Sequence, residues 1–287
     1  MKKIYIVVGT GNLAVKIAEY LISQKLDTVV YEKQLSQYST VKEFCVAKKI
    51  DYTLLTSKEM TEQLLSDLEN FEIKVISAIN TYIFPKEIVE HVNFYGINYH
   101  NALLPQHKGM NAEAWSIFNL EKHTGITWHR IVEKVDQGEI ILQKRIAINS
   151  SITSMKLLRI QLDMAYESFV EFAPQLIEET LIIEPQKSND GEFHRIKDIP
   201  NNGYIDKTWS MVKLSAFLRA MDYGILYTMG KPIIKIDSKA YSCGRYRITE
   251  NNIPAGKDEI IFEDNVITIL KKNSYGKVML SNITMIG

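Results

Sequence analysis

Three residues have types and spacing suited to moving an acyl group: Asn98, His100 and Asp136. Asn98 and His100 lie two apart at the end of an apolar run, FYGINYH, and the period-two geometry of a strand points both side chains to one face. Asp136 comes much later, in the turn Asp136-Gln137-Gly138 between two strand-like runs, GITWHRIV and EIILQKRIAI. An amide, an imidazole and a carboxylate can therefore meet at one edge of a sheet. When an amine attacks a carbonyl carbon, negative charge builds on the oxygen, and the Asn98 amide and a protonated His100 can donate to it. The attacking nitrogen must lose a proton, which Asp136 can accept while also holding His100 charged and oriented. The same residue types also serve as strand-end and turn residues, so type alone leaves chemistry and structure evenly matched.

The elements that must position these groups alternate between strand and helix. KKIYIVVGTGNLAVKIAEYLISQ reads as buried strand, glycine turn and amphipathic helix; TVVYEK and IKVISAI read as further strands, VKEFCVAKKI and the segment near 84–91 as helices. This pattern predicts an α/β fold: a Rossmann-like, mostly parallel sheet with helices on both faces, its ligands at the carboxyl ends of the strands. MNAEAWSIFNL has helical spacing with Asn111 as N-cap, and a long amphipathic stretch runs from about 153 to 181. The polar stretch 186–203 has the composition of a linker. Beyond it, WSMVKLSAFLRAMD reads as a helix, followed by the short strand-like runs KPIIKI, YRITE, EIIFED, VITILKK and VMLSNI. The expected division is a first domain over 1–190 and a small helix-plus-β C-terminal domain over 200–287.

Composition narrows the class. The chain has 287 residues, 46% hydrophobic and 24% charged, as in an ordinary soluble globular protein. Lys+Arg and Asp+Glu each number 34, so no net charge draws it to nucleic acid or to an anionic membrane. Its two cysteines, Cys45 and Cys243, lie far apart with no ligand spacing, so neither a metal nor a disulfide framework is expected, and a reducing cytoplasm is. No run is apolar enough to span a bilayer. The turn GTGNLA, with Gly9, Thr10, Gly11 and Asn12, follows a strand and opens a helix, and Glu32 follows about 20 residues on. That context also fits an NAD(P)-dependent oxidoreductase, or a plain strand-to-helix turn.

A resemblance favours the acyl-transfer reading. Asn98-Tyr99-His100, Leu103-Leu104-Pro105 and Asp136-Gln137-Gly138, with Gly125, Thr127 and His129 on the preceding strand, resemble the signature of the 10-formyltetrahydrofolate-dependent formyltransferases. That family includes enzymes acting on glycinamide ribonucleotide, methionyl-tRNA and nucleotide-linked sugars. The likeness covers residues 1 to about 185. It implies formyl transfer to an amine, with Asn98, His100 and Asp136 as the catalytic set. It implies a folate donor, 10-formyltetrahydrofolate, against the backbone of two loops: Asn80, Thr81, Tyr82 and Ile83, and then Ile131, Val132, Glu133 and Val135. The GTGNLA turn would lie on the acceptor side with His107, Lys108, Met110 and Asn111. The tail around Arg219-Ala220-Met221 is similar to the C-terminal domain of the tRNA and sugar enzymes.

The chain departs from the tRNA enzymes where the acceptor pocket is bordered. After Leu104-Pro105 only Lys108-Gly109 matches their pattern, and Asn101-Ala102 replaces their usual small pair. The Met-Asn-Ala-Glu-Ala-Trp stretch is more similar to formyltransferase domains of peptide-assembly enzymes and to some sugar-modifying relatives. The expected acceptor is therefore a small-molecule primary amine, nucleotide-linked or carrier-linked, with tRNA less favoured. A hydrolase releasing formate from the same folate is a further alternative. Trp115 and Trp128 are expected in packing roles, His129 in a supporting one.

Overall fold

The structure, a computed structural model, describes residues 1–35, 39, 41–187, 190–251 and 253–286. It divides into two compact units. The first comprises Met1–Gly109, Gly125–Ile146 and Arg159–Phe193; the second comprises Met110–Thr124, Ala147–Leu158 and the chain from His194 onward. The expected division is thus crossed by two segments, 110–124 and 147–158, which go with the second unit.

In chain order the first unit opens with β1 (Lys2–Gly9), α1 (Gly11–Ser23), β2 (Thr28–Lys33), α2 (Lys42–Lys48), β3 (Asp51–Leu55), α3 (Ser57–Asn70) and β4 (Phe71–Ala78). It continues with α4 (Lys86–Val89), β5 (Phe94–His100) and the two-residue β6 (Lys108–Gly109). After α5 (Ala112–Phe118) come β7 (His123–Arg130), β8 (Ile140–Ala147), the long α6 (Ser154–Glu178) and the two-residue β9 (Phe193–His194). The large sheet has the order β3-β2-β1-β4-β5-β7-β8. Strands β1 to β5 pair in parallel, and β7 turns antiparallel to β5.

Alternation along the strands explains why both faces are covered. Tyr5 and Val7 of β1, Ile76 of β4, Ile97 and Tyr99 of β5, and Ile126 and Trp128 of β7 share one buried cluster with α1 and α6. Ile6, Val8, Ile73 and Val75 point the other way, into a cluster with Met60, Leu64 and Leu68 of α3. Helix α3 starts on a capping box, Thr56 accepting from the Glu59 N–H while the Glu59 carboxylate accepts from the Thr56 N–H.

The second unit holds α5, a 3-10 turn at Pro200–Gly203, α7 (Met211–Ala220) and five strands: β10 (Ile233–Ile236), β11 (Lys239–Glu250), β12 (Glu259–Glu263), β13 (Val266–Leu270) and β14 (Gly276–Ile286). They form an antiparallel sheet ordered β10-β11-β14-β13-β12. Helix α5 belongs here because it packs on α7, Phe118 meeting Phe217 edge-on at 6.2 Å. Buried bonds hold the other early segment: Ser154 Oγ donates to Ala220 O at 2.7 Å, and Arg219 donates to Ile152 O at 2.9 Å. Among the described residues, no helix is long and apolar enough to cross a membrane.

The stretch 186–203 is not a free linker. Ser188 and Asn189 lie outside the described residues, but its neighbours are bound into the first unit. Gln186 donates to Asp136 O and Gly138 O, and a Cβ on Gly191 would stand 1.5 Å from Pro105 O.

Candidate active site

Strands β5 and β7 build the site. Their register sets Asn98 opposite His129, and His100 opposite Thr127. Directly opposed residues of an antiparallel pair project to the same face, so Asn98, His100, Thr127 and His129 all point away from the Trp128 cluster. Asn98 Nδ2 lies 3.1 Å from His129 Nε2. His129 Nδ1 lies 2.8 Å from Arg130 O, so that nitrogen carries a proton, while Nε2 faces the Asn98 amide.

Asp136 reaches between the two imidazoles. Its Oδ1 is 3.4 Å from His129 Nε2, and its Oδ2 is 3.6 Å from His100 Nδ1. The Gly109 N–H donates to Oδ2 at 2.7 Å. Asp136 adopts a left-handed backbone, φ 56°, which Asp tolerates better than most residues. Gly138 is required two residues later because a Cβ there would stand 2.0 Å from Arg130 O.

All three catalytic candidates come together, with one change in the detail of His100. Its ring is buried, and Nε2 lies 2.8 Å from His107 O, so Nε2 is the protonated nitrogen. Burial pushes its pKa below the ordinary histidine value, although Asp136 pulls it upward. Burial thus works against the protonated form expected of His100, while its Nδ1 faces a carboxylate that favours that form. Burial works against ionisation of Asp136, but His100, His129 and the Gly109 N–H outweigh it and hold the carboxyl well below the usual carboxylate range.

The chain leaving β5 is held by β7 and β8. Thr127 Oγ1 donates to Ala102 O at 2.7 Å and accepts from Leu104 N at 3.1 Å. Gln143 Nε2 donates to Leu104 O and to Thr127 Oγ1, both at 2.9 Å. The Leu104–Pro105 bond is cis.

The expected donor loops root in one buried cluster, which contains Tyr82, Phe84 and Ile131. Asn80 clasps its own loop: its Oδ1 accepts from Tyr82 N at 2.8 Å and its Nδ2 donates to Tyr82 O at 3.1 Å. Just before it, Ile79 has φ 54°, a strained setting for a β-branched residue. Ile83, Val132 and Glu133 are exposed, Val135 is half-buried, and the buried Thr81 Oγ1 has no hydrogen-bond partner among the described residues. Exposed apolar edges and loop backbone suit a flat heterocycle with polar rims.

The expected acceptor-side residues separate. Gly9 lies tight against β4, where a Cβ would stand 2.0 Å from Ala78 O, and Thr10 Oγ1 donates to Ile79 O at 3.2 Å. Gly11 adopts φ 65° and Asn12 is exposed. His107 and Lys108 are buried, with Lys108 N donating to Glu192 O at 2.9 Å. Met110 and Asn111 fall in the second unit, where Met110 N donates to His194 O at 2.9 Å and Asn111 precedes α5 at φ 57°. There Trp115 stacks on His194, ring centroids 4.3 Å apart, so one face of that indole is already covered.

Glu32, the acidic residue of the nicotinamide alternative, is buried. It accepts from Tyr52 OH at 2.7 Å and from Ser39 Oγ, which commits its carboxylate to the fold rather than to a ribose.

Gln186 enters the site without having been singled out in the sequence, whereas His129 was expected there in a supporting role. That His129 stands opposite Asn98 follows from the register of β5 on β7.

The chain is similar to several known proteins. A family model described as "Formyl transferase" matches residues 1–172. The GDP-perosamine N-formyltransferase of Brucella melitensis is 29% identical over 213 residues, covering 72% of this chain and 79% of its own. The methionyl-tRNA formyltransferase of Caldanaerobacter subterraneus subsp. tengcongensis is 27% identical over 291 residues, covering 93% and 91%. An N-formyltransferase from Helicobacter canadensis, solved with folinic acid and dTDP-3-aminofucose, has a TM-score of 0.75 at 19% identity, over 98% of this chain and 99% of that one.

Proposed function

The chain belongs to the formyl transferase family, and from that premise we propose that it moves a formyl group from 10-formyltetrahydrofolate to the amino group of a nucleotide-linked sugar. The observation that carries the reading is the buried Asp136 carboxylate reaching both imidazoles, 3.4 Å from His129 and 3.6 Å from His100, beside the Asn98 amide. The sugar acceptor is supported by the Brucella relative, whose name specifies GDP-perosamine, and by the Helicobacter structure, which holds dTDP-3-aminofucose.

When bound, the donor supplies an activated formyl carbon, held by the Asn80–Ile83 and Ile131–Asp136 loops. The chain's own groups divide the rest. Asn98 presents an amide N–H where oxygen gains negative charge. Asp136, ionised in its buried setting, is the base for the proton the amine must lose. His100 stands beside it with Nδ1 facing the carboxylate, so that each group fixes the other's orientation. His129 orients the Asn98 amide from across the ladder. The two free, buried thiols, Cys45 and Cys243, support the cytoplasmic setting expected from the sequence.

The test is to incubate the protein with 10-formyltetrahydrofolate and a panel of acceptors: dTDP- and GDP-linked amino sugars, a carrier-linked amine and methionyl-tRNA. Tetrahydrofolate release with an amino sugar is the expected result. Release only with methionyl-tRNA or the carrier-linked amine would reassign the acceptor. No release with any of them would overturn formyl transfer.

A further inference from the structure

Resting on that formyl-transfer reading, we propose that Gln186 is a positioning residue for the reaction: its single amide holds the Asp136 turn and so fixes where the Asp136 carboxylate stands. Gln186 lies in a polar segment with no motif to mark it. Its backbone is tied down two residues earlier, where Glu184 and Ile140 exchange two hydrogen bonds, at 2.7 and 2.8 Å. From there the side chain reaches the catalytic turn. Nε2 donates to Asp136 O at 2.8 Å and to Gly138 O at 2.9 Å. A carboxamide nitrogen has two protons, and both are used on carbonyls at the two ends of one three-residue turn. The opposite amide orientation would set Oε1 against two carbonyl oxygens, so the contacts themselves fix the assignment.

The turn needs such a hold. Asp136 sits at φ 56°, outside the main basins of an L-residue, and Gly138 is pressed against Arg130 O. Rotating the peptide units between them would swing the carboxylate away from His100, His129 and the Gly109 N–H. Displacing a reacting group by about 1 Å costs on the order of 100-fold in rate. Gln186 itself touches neither imidazole, so it acts through the turn. Its Oε1 is buried without a hydrogen-bond partner among the described residues, so the donors are what this amide contributes to the protein.

Gln186→Leu keeps the bulk of the arm and removes both protons. It is expected to lower kcat about 10- to 100-fold while the KM for the amine acceptor stays within about twofold, the split a positioning residue gives. A second readout needs no turnover. The Gly109 N–H is bonded to the Asp136 carboxylate, so its hydrogen exchange reports where that carboxylate stands. In Gln186→Leu this amide should exchange about 10-fold faster or more, while amides in the centre of β1 keep their wild-type rates. Gln186→Asn keeps the amide but withdraws it by one methylene, should fall between, and serves as the test if the Leu variant does not fold. A folded variant with wild-type kcat and wild-type Gly109 exchange overturns the proposal. If the wild-type protein transfers no formyl group, that reading fails, and the exchange comparison still decides whether Gln186 positions Asp136.

Discussion

At the scale of single residues, the site is a set of buried and half-buried polar groups that contact one another and nearby backbone. Removing one should therefore cost activity and change acid sensitivity. His100→Ala and Asp136→Ala are expected to lower kcat by about 10²–10⁴-fold, and Asn98→Ala by about 10²–10³-fold, measured as tetrahydrofolate release. His129→Ala, which leaves the Asn98 amide in place but unaligned, should cost roughly 10-fold, toward the small end for a group that only orients another. A wild-type rate for His100→Ala or Asp136→Ala would remove that residue from the mechanism. The same shifts govern stability. His100 and Asp136 both have lowered pKa values, so the unfolded chain takes up their protons first as pH falls. Their contribution is fully present above the ordinary values of 6.5 and 3.8 and is lost below them, His100 first. Urea denaturation at pH 7.5 and 5.5 should show that His100→Asn loses less stability over that interval than the wild type. Equal losses would mean that His100 is not buried in its neutral form.

At the scale of elements, β7 has two jobs. One face carries Thr127 and His129 into the site, and the other packs Trp128 on α6, its indole N–H donating to Ala165 O at 3.1 Å. Trp128→Ala should destabilise the protein by about 3–5 kcal/mol, read by denaturant unfolding; a loss under about 1 kcal/mol would mean the site collapses readily around the gap. Gly138→Ala, by contrast, should leave most of the sheet intact and lower activity, because its Cβ would displace the Arg130 carbonyl beside the catalytic turn. Much of this was legible beforehand. The alternation in FYGINYH placed Asn98 and His100 on one face, and the buried runs gave β1, β4 and β5. Strand β3 and helix α3 carry weaker signals, since DYTLL is short and α3 begins on a polar cap. His129 was legible as a strand residue but not as the partner of Asn98, since register between distant strands follows from turn and sheet geometry. Gln186 was invisible for a different reason. Polar residues near turns read as solvent-facing, and nothing in their types says which carbonyls they will find.

At the scale of the molecule, the chain crosses between its two units more than once, which composition does not reveal. Residues 110–124 and 147–158 lie well before the C-terminal region in the sequence yet belong to the second unit, because their buried partners lie on α7 and just after it. Tyr223 OH donates to the buried Glu113 carboxylate at 2.5 Å, and Lys213 donates to Phe118 O at 2.5 Å. A fragment ending at residue 190 would leave these groups and the apolar face of α5 without partners. It is expected to aggregate or to bind a hydrophobic dye, whereas the full chain does not. A fragment that stays monomeric and unfolds cooperatively would show the first unit to be self-sufficient. The same crossing divides the three tryptophans. Trp128 is fully buried in the first unit, with Tyr99, Phe169 and Phe172 centred 5.6–5.7 Å away. Trp115 and Trp209 are half-buried in the second. An indole in a dry aromatic nest emits at shorter wavelength than one open to water. The chain therefore carries a native optical label in each unit: with Trp115 and Trp209 changed to Phe, the remaining fluorescence follows the melting of the first unit alone, without any dye attached.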